Sequence, residues 1–415
     1  MRLSKLFTKT RKNAPADEVA KNAQLLIRAG FIHKEMAGVY GFLPLGKLVL
    51  DNVVHIIREE MNAVGGNEVS MTALQNKELW EKTNRWDDKI VDNWFKTKLS
   101  SGAELGLGFT HEEPITAMMK NFVHSYKDLP AYPYQFQTKF RNELRAKSGL
   151  MRGREFLMKD LYSLSENQEK HDIFYEEITQ AYHRVYDRLG LGSFTYKTFA
   201  SGGSFSKFSH EFQTISEVGE DTIYVHEAKK IAINEEVYTD EVLKELGVTK
   251  EELKEAKAVE VGNIFTLGTR FSEPLGLSYT DAAGNVQPVF MGSYGIGPSR
   301  LVGLIAEHFA DEKGLVWPEN IAPAKVYLVV IGDNSEVIEK AESLYKELED
   351  KEITVLYDDR NERPGTKFAD AELMGIPHRV VVSERLLKDS VFEYTARQSG
   401  QTETLTADLL FDKLS

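Results

Sequence analysis

The 415-residue chain contains no cysteine. That absence excludes a disulfide scaffold, a thiol nucleophile, a thiolate zinc site and a cysteine-ligated iron–sulfur cluster. Also missing is any apolar run near the roughly 18 residues that span a bilayer. The first residues, Met1 to Lys12, include basic side chains, but no apolar stretch or small-residue cleavage site follows them. A signal peptide is therefore not expected; a mitochondrial presequence is harder to exclude, although Asp17 and Glu18 arrive too early for a good one. There is no repeat at solenoid spacing and no low-complexity tract. Positive charge is in short supply: 51 basic against 64 acidic residues leave a net charge of −13. Such a balance argues against coating DNA or binding an anionic membrane, yet one local basic groove could still hold RNA.

What is present is ordinary for a soluble, cytoplasmic protein: 42% hydrophobic, 28% charged and 10% aromatic residues. At about 100–200 residues per domain, the length points to two to four domains. Val53, Ile57, Met61 and Val64 recur at the spacing of one helix face, with Pro44 and Gly46 at the entry and Gly65-Gly66 at the end. That apolar stripe needs either a core or a second subunit. A strand-like run, Glu68 to Leu74, follows. Tyr134 to Phe140 and Glu155 to Ser163 alternate as strands do around an irregular loop, and Asn167 to Leu189 reads as a helix. Glu227 to Glu260 is charged and helix-forming, a solvated surface piece with Gly247 ending one helix and Thr249…Glu252 spaced as a capping box. Gly292 to Phe309 reads as a glycine-rich turn entering an apolar helix. Beyond Ile321, strands at Val326–Ile331, Ile353–Tyr357 and Arg379–Val382 alternate with helices at Asn334–Leu348 and Lys367–Met374. This pattern predicts a separate α/β domain with a mixed sheet.

The chemistry gathers in three places. Between Lys139 and Asp160, seven basic residues (Lys139, Arg141, Arg145, Lys147, Arg152, Arg154, Lys159) face three acidic ones (Glu143, Glu155, Asp160). Arginine suits bidentate recognition of phosphate or carboxylate, although a solvated hairpin tip would carry charge as well. On the second strand Phe156, Met158, Asp160 and Tyr162 share a face. A carboxylate there is costly unless paired, and a bound small cation would account for it. Thr110-His111-Glu112-Glu113-Pro114 fits a capping box from Thr110 to Glu113 with proline in the first turn, and it is not a zincin motif. Gly295-Ile296-Gly297 opens a helix carrying Arg300 and allows an arginine to approach an anion. No P-loop ending exists anywhere, and no acidic residue follows at dinucleotide-fold spacing.

These residues carry a resemblance to the bacterial-type prolyl-tRNA synthetases of class II, in a short form without an editing insertion. Phe140-Arg141-Asn142-Glu143 with Arg152-Gly153-Arg154-Glu155-Phe156-Leu157-Met158-Lys159-Asp160 resembles that family's motif 2. Met291-Gly292-Ser293-Tyr294-Gly295-Ile296-Gly297-Pro298-Ser299-Arg300 resembles motif 3. Asp358-Asp359-Arg360-Asn361-Glu362-Arg363-Pro364-Gly365 through Gly375-Ile376-Pro377 resembles its anticodon-binding domain.

The resemblance implies an α+β catalytic domain over 1–320, an antiparallel sheet flanked by helices, and an α/β anticodon-binding domain over 321–415. Motif 1 would fall at about 40–76, motif 2 at 134–163 and motif 3 at 290–309, with a short surface segment at 213–260 in place of the insertion. It further implies a homodimer built on motif 1, with proline, ATP with Mg²⁺ and tRNA(Pro) as substrates. No protein-held metal, membrane or DNA partner is expected. Arg141 would bridge the α-phosphate and the proline carboxylate, and Arg141, Arg152 and Arg300 would be catalytic. Glu143, Thr266 and Thr269 would join those arginines on ATP. Thr110 and Glu112 would meet the proline nitrogen, with Met158, Asp160 and Tyr162 lining the pocket. Asp359, Arg360, Arg363 and Lys367 are candidates in the anticodon domain. The chain departs from the family at Thr72, Asn263, Thr266, Ser293 and Phe205-Ser206-Lys207. Two rivals remain: a catalytically reduced RNA- or protein-binding paralogue, and an enzyme activating another amino acid without tRNA. The first should have lost the motif arginines, and the second has no use for the C-terminal domain.

Overall fold

The computed structural model describes residues 1–144, 146–201 and 208–414. Arg145 and Phe205-Ser206-Lys207 lie outside the described residues. The chain divides into two compact units, one of Val54–Ala146 and Met151–Leu301, the other of Met1–Val53, Lys147–Leu150 and Val302–Ser415. Among the described residues no helix is long and apolar enough to cross a membrane.

Helix α1, Pro44–Ala63, carries the stripe read from the sequence, and Val53, Ile57 and Met61 are fully buried. Each such side chain contributes about 1.5–3 kcal/mol of burial. Gly65 ends the turn at φ +81°, a conformation that costs glycine nothing. The expected strand at Glu68 to Leu74 is shorter and split, with β1 at Asn67–Glu68 and a three-residue strand at Leu74–Asn76. Helix α2 follows at Glu112–Met119.

The larger sheet of the first unit has nine strands. In chain order they are β1, β2 (Pro133–Phe140), β3 (Glu155–Ser165), β4 (Thr195–Ser201), β5 (Phe208–Ile215), β6 (Asp221–His226), β7 (Ile231–Asn234), β8 (Lys254–Gly268) and β9 (Phe290–Ile296). In space they run β5-β4-β7-β6-β8-β9-β3-β2-β1, antiparallel except for the β7–β4 and β1–β2 pairs. Helix α3, Gln168–Arg188, is capped by the Asn167 side chain and packs Phe174, Ile178, Tyr182 and Tyr186 into the core.

Two sequence readings are corrected here. The segment 227–260 is not mainly a solvated helical piece: Gly247 does end a helix and Thr249 and Glu252 do form a capping box, but Lys254 onward is β8. Its first half pairs with β6 and its second with β5, while β9 takes the other side. Glu, Lys and Ala favour helix locally, and pairing with three neighbours overrides that preference. Nor is Gly292 part of a turn; it sits inside β9, where a Cβ would stand 2.4 Å from the Tyr294 hydroxyl oxygen. Helix α4, Pro298–His308, then follows.

In the second unit, five strands form a mixed sheet in the order β11-β10-β12-β13-β14: β10 Val326–Ile331, β11 Val355–Asp358, β12 His378–Ser383, β13 Phe392–Ala396 and β14 Thr402–Leu405. The first three are parallel, and β13 and β14 run antiparallel. Helix α5, Ser335–Asp350, is capped by Asn334 as its sequence predicts, and α6, Pro364–Met374, ends at left-handed Gly375.

Candidate active site

A cavity of about 300 Å³ opens in the nine-stranded unit, and Thr110, Glu112, Arg141, Met158, Asp160 and Tyr162 all line it. Arg85, Phe109, Asn263, Phe265 and Ser293 join them. The strand period explains half of this set, because Met158, Asp160 and Tyr162 project to one face of β3.

Glu112 stands in the first turn of α2, where the helix dipole favours an anion. The Thr110 hydroxyl donates to its Oε2 at 2.5 Å and the Ser293 hydroxyl to its Oε1 at 3.2 Å, with Arg85 at 3.6 Å. The capping box read from Thr110 to Glu113 does not form: His111 is the N-cap residue and makes no side-chain cap bond. Glu113 instead turns inward to Arg85 at 3.0 Å and Thr83 at 2.8 Å. Glu112 is thus held by the local Thr110 hydroxyl and by distant Ser293, and Glu113 by Arg85 and Thr83.

Asp160 is the carboxylate that the sequence left without an explanation. Its cation is the chain's own: fully buried Lys139 stands 2.8 Å from Oδ1. Gln135 and Tyr162 each donate to Oδ2 at 2.9 Å. Burial raises the pKa of such a group, but Lys139 and these bonds outweigh it and hold the Asp160 carboxyl below the usual carboxylate range. Lys139 also donates to His111 Nδ1 at 2.6 Å, and His111 Nε2–H donates to the Thr72 carbonyl at 3.1 Å. Lysine can only donate and the carbonyl can only accept, so the tautomer follows. Burial, reinforced by Lys139, lowers the His111 pKa to about 4, which keeps the ring neutral. The sequence shows that Lys139 and Gln135 share one face of β2, but the register that sets Gln135 directly opposite Asp160 is tertiary.

Arg141 enters the cavity from the end of β2. Its guanidinium lies 5.0 Å from the Phe109 ring and 5.3 Å from Phe156, and its Nε is buried without a hydrogen-bond partner. No carboxylate pairs with it among the described residues. Burial, followed by repulsion from Arg300, lowers its pKa. Arg152 is held between Glu143, at 3.3 Å, and Glu220. Arg300 bonds the Met151 and Glu260 carbonyls at 2.9 and 2.6 Å and the Glu260 carboxylate at 3.4 Å. Thr266 meets His171 at 2.9 Å, and neither Thr266 nor Thr269 lines the cavity.

Near Glu260 a second carboxylate is strained. Glu211 accepts from Gln213 at 3.0 Å, while burial and then Glu260 push its pKa up to about 8, against an ordinary value of 4.5. The folded state therefore keeps a proton that the unfolded chain releases first, so stability falls as pH rises from about 4.5 to about 8. Replacing Glu211 with glutamine should flatten the urea midpoint across that window. Equal slopes in the two proteins would contradict the assignment.

In the second unit, Asp359 accepts from the Ser4 backbone and hydroxyl at 2.9 and 2.6 Å. Arg360 is tied to Asp358 and Asp370, and buried Lys367 donates to the Val330 and Asp358 carbonyls. Arg363 stays exposed at the N-cap of α6.

Comparisons with known proteins identify the family and the fold. Residues 95–309 match the family described as tRNA synthetase class II core domain (G, H, P, S and T), and residues 325–415 match the anticodon binding domain. The proline–tRNA ligase of Rickettsia rickettsii is 38% identical over 435 residues, covering 100% of both chains. That of Anaplasma marginale is 38% identical over 429 residues with the same coverage. The fold is similar to that of a prolyl-tRNA synthetase from Cryptosporidium parvum solved with L-proline and AMP, at a TM-score of 0.77 and 18% identity, over 95% of this chain and 73% of that one. The chain belongs to the proline–tRNA ligase family, within the class II aminoacyl-tRNA synthetases.

Proposed function

We propose that this chain activates proline with MgATP, releasing pyrophosphate, and then transfers the prolyl group from prolyl-adenylate to tRNA(Pro). One observation carries the reading: a single cavity holds an arginine without an anion and a buried glutamate. Those two charges suit an amino acid, whose carboxylate would meet Arg141 and whose ammonium would meet Glu112 and Thr110. Met158 and Phe265 offer apolar surface to the ring. Asp160, already neutralised by Lys139, shapes the pocket floor, so Glu112 is the acceptor for the ammonium.

The proline carboxylate is the nucleophile. With a pKa near 3.5 it is ionised and needs no general base. Its oxygen bonds to the α-phosphorus as the bond to pyrophosphate breaks. Arg141 holds both anions in reach, and Arg152 and Arg300 take the remaining phosphates, so positioning and electrostatic stabilisation supply the rate. Mg²⁺ arrives on the nucleotide. Residues 1–320 act as the catalytic domain and 321–415 recognise the anticodon, with Arg363 the exposed contact. The enzyme works as a cytoplasmic homodimer joined through motif 1.

Charging assays test this directly: tRNA with the proline anticodon should accumulate prolyl groups, and tRNA with another anticodon should not. Discrimination against alanine should be incomplete. Each methylene missing from a substrate costs only about 1–3 kcal/mol in an apolar pocket, and nothing repels the smaller residue. Fewer than about fifty residues separate Phe212 from Gly262, too few for a hydrolytic domain of usual size. Preformed alanyl-tRNA(Pro) should therefore survive incubation with the protein at its spontaneous rate. Faster deacylation would place an editing activity somewhere on this chain.

A further inference from the structure

The first twelve residues contain five cations and no carboxylate, in a chain whose net charge is −13. They are not a loose tail. The Tyr357 backbone N–H donates to the Met1 carbonyl at 2.8 Å, and Arg2 grips Glu342 with both ends of its fork. Ser4 makes two bonds to Asp359, and Thr10 donates to Asp370 at 2.7 Å. The arm is thus fastened to β11, α5 and α6 within one compact unit.

Its anchors and its free side chains are different residues. Lys5, Lys9, Arg11 and Lys12 are exposed, and none has a carboxylate partner among the described residues. Phe7, 76% exposed, sits between Lys5 and Lys9. Burying that ring in the arm's own packing would have been favourable by a large margin. Beside it opens a cavity of about 500 Å³ lined by Phe7, Lys9, Arg11, His33 and Lys34, with no carboxylate in its lining. Two of these side chains already have carboxylate partners: Lys34 pairs with Asp17 and Glu18, and His33 stands 3.9 Å from Glu35.

Unpaired cations interleaved with an exposed aromatic ring are what single-stranded RNA requires: cations follow phosphates and the ring stacks on a base. We propose that this arm is an RNA-contacting surface for the anticodon stem–loop of the tRNA substrate, with Lys5, Lys9, Arg11 and Lys12 on phosphates and Phe7 on an unpaired base. The location follows from the anchors, because Ser4 binds Asp359, four residues before exposed Arg363. The inference rests on the reading that the chain charges tRNA.

The test compares the wild type with a K5A/K9A/R11A/K12A variant and with Phe7→Ala, all keeping the anchoring residues. Binding of intact tRNA(Pro), of its isolated anticodon stem–loop and of an acceptor minihelix is measured across a salt series. In the quadruple variant, affinity for tRNA and for the stem–loop should fall at least tenfold. The slope of log affinity against log salt should shrink by about 3, at roughly 0.7–0.9 per lost phosphate contact. Phe7→Ala should weaken the stem–loop by about fivefold, Phe7→Tyr should restore it, and minihelix binding should stay unchanged. Proline-dependent ATP–pyrophosphate exchange should remain at the wild-type rate in every variant. Wild-type affinity and salt slope in the quadruple variant, or a defect seen only with the minihelix, would overturn the proposal. A wild type that binds and charges no tRNA would instead overturn the functional reading beneath it.

Discussion

Arg141→Ala should lower proline-dependent adenylate formation by about 10²–10³-fold, the range expected when one preorganised transition-state donor is removed. The side chain is held in place before any substrate arrives. Its backbone N–H donates to the Arg154 carbonyl at 2.9 Å, and Phe109 and Phe156 flank the guanidinium. Aromatic faces stabilise a cation without consuming its hydrogen-bond donors, which explains how a buried arginine can stay free for two anions. Lysine at this position should recover little, because a point charge cannot offer the planar fork. Pre-steady-state adenylate formation reads the effect, and the Michaelis constant for proline should rise as well, since its carboxylate loses a partner. Near-normal rates in the alanine variant would remove Arg141 from the chemistry.

Lys139→Met should cost about 3–5 kcal/mol of folding stability, the penalty for leaving a buried charge without its partner. Asp160 would keep Gln135 and Tyr162 as donors but lose its cation. In the wild type its carboxyl pKa is lowered, so the stability it adds is present above the unfolded value near 4 and lost only as pH falls through the folded value. Without Lys139 the burial effect dominates and the sign reverses. The variant should therefore gain more stability between pH 7 and 5 than the wild type, whose gain there comes from raised carboxyls such as Glu211, as read from urea unfolding at both pH values. A variant as stable as the wild type, with the same pH response, would show that the pair is not the keystone of this pocket. His111 links the same lysine to the Thr72 carbonyl, so the variant also loses that bond.

Several of these features can be read from the chain alone. Val53, Ile57 and Met61 announced α1 because a helix face repeats in the sequence, and Asn334 and Gly375 marked helix ends through local bonds. Arg141, Met158, Asp160 and Ser293 line one cavity with Thr110 and Glu112, whereas Glu143, Arg152, Arg300, Thr266 and Thr269 do not line it. What stayed hidden is tertiary. Nothing local says that Lys139, rather than a ligand, neutralises Asp160, since the two lie 21 positions apart on paired strands. Glu113 looked like a helix cap and became a partner of Arg85. The Glu, Lys and Ala of β8 favour helix on local propensity, and only its pairing with three strands makes it extended. No local pattern shows that Asp359, an anticodon-domain candidate, accepts from Ser4, or that Arg360 donates to Asp358 and Asp370.

Proline-dependent ATP–pyrophosphate exchange, run without tRNA on the purified full chain against the twenty amino acids, tests the central claim most directly. Exchange should be rapid with proline, weak with alanine and absent with the others, and Arg141→Ala should lower it by about 10²–10³-fold. Exchange driven best by another amino acid, or none with proline, would contradict it.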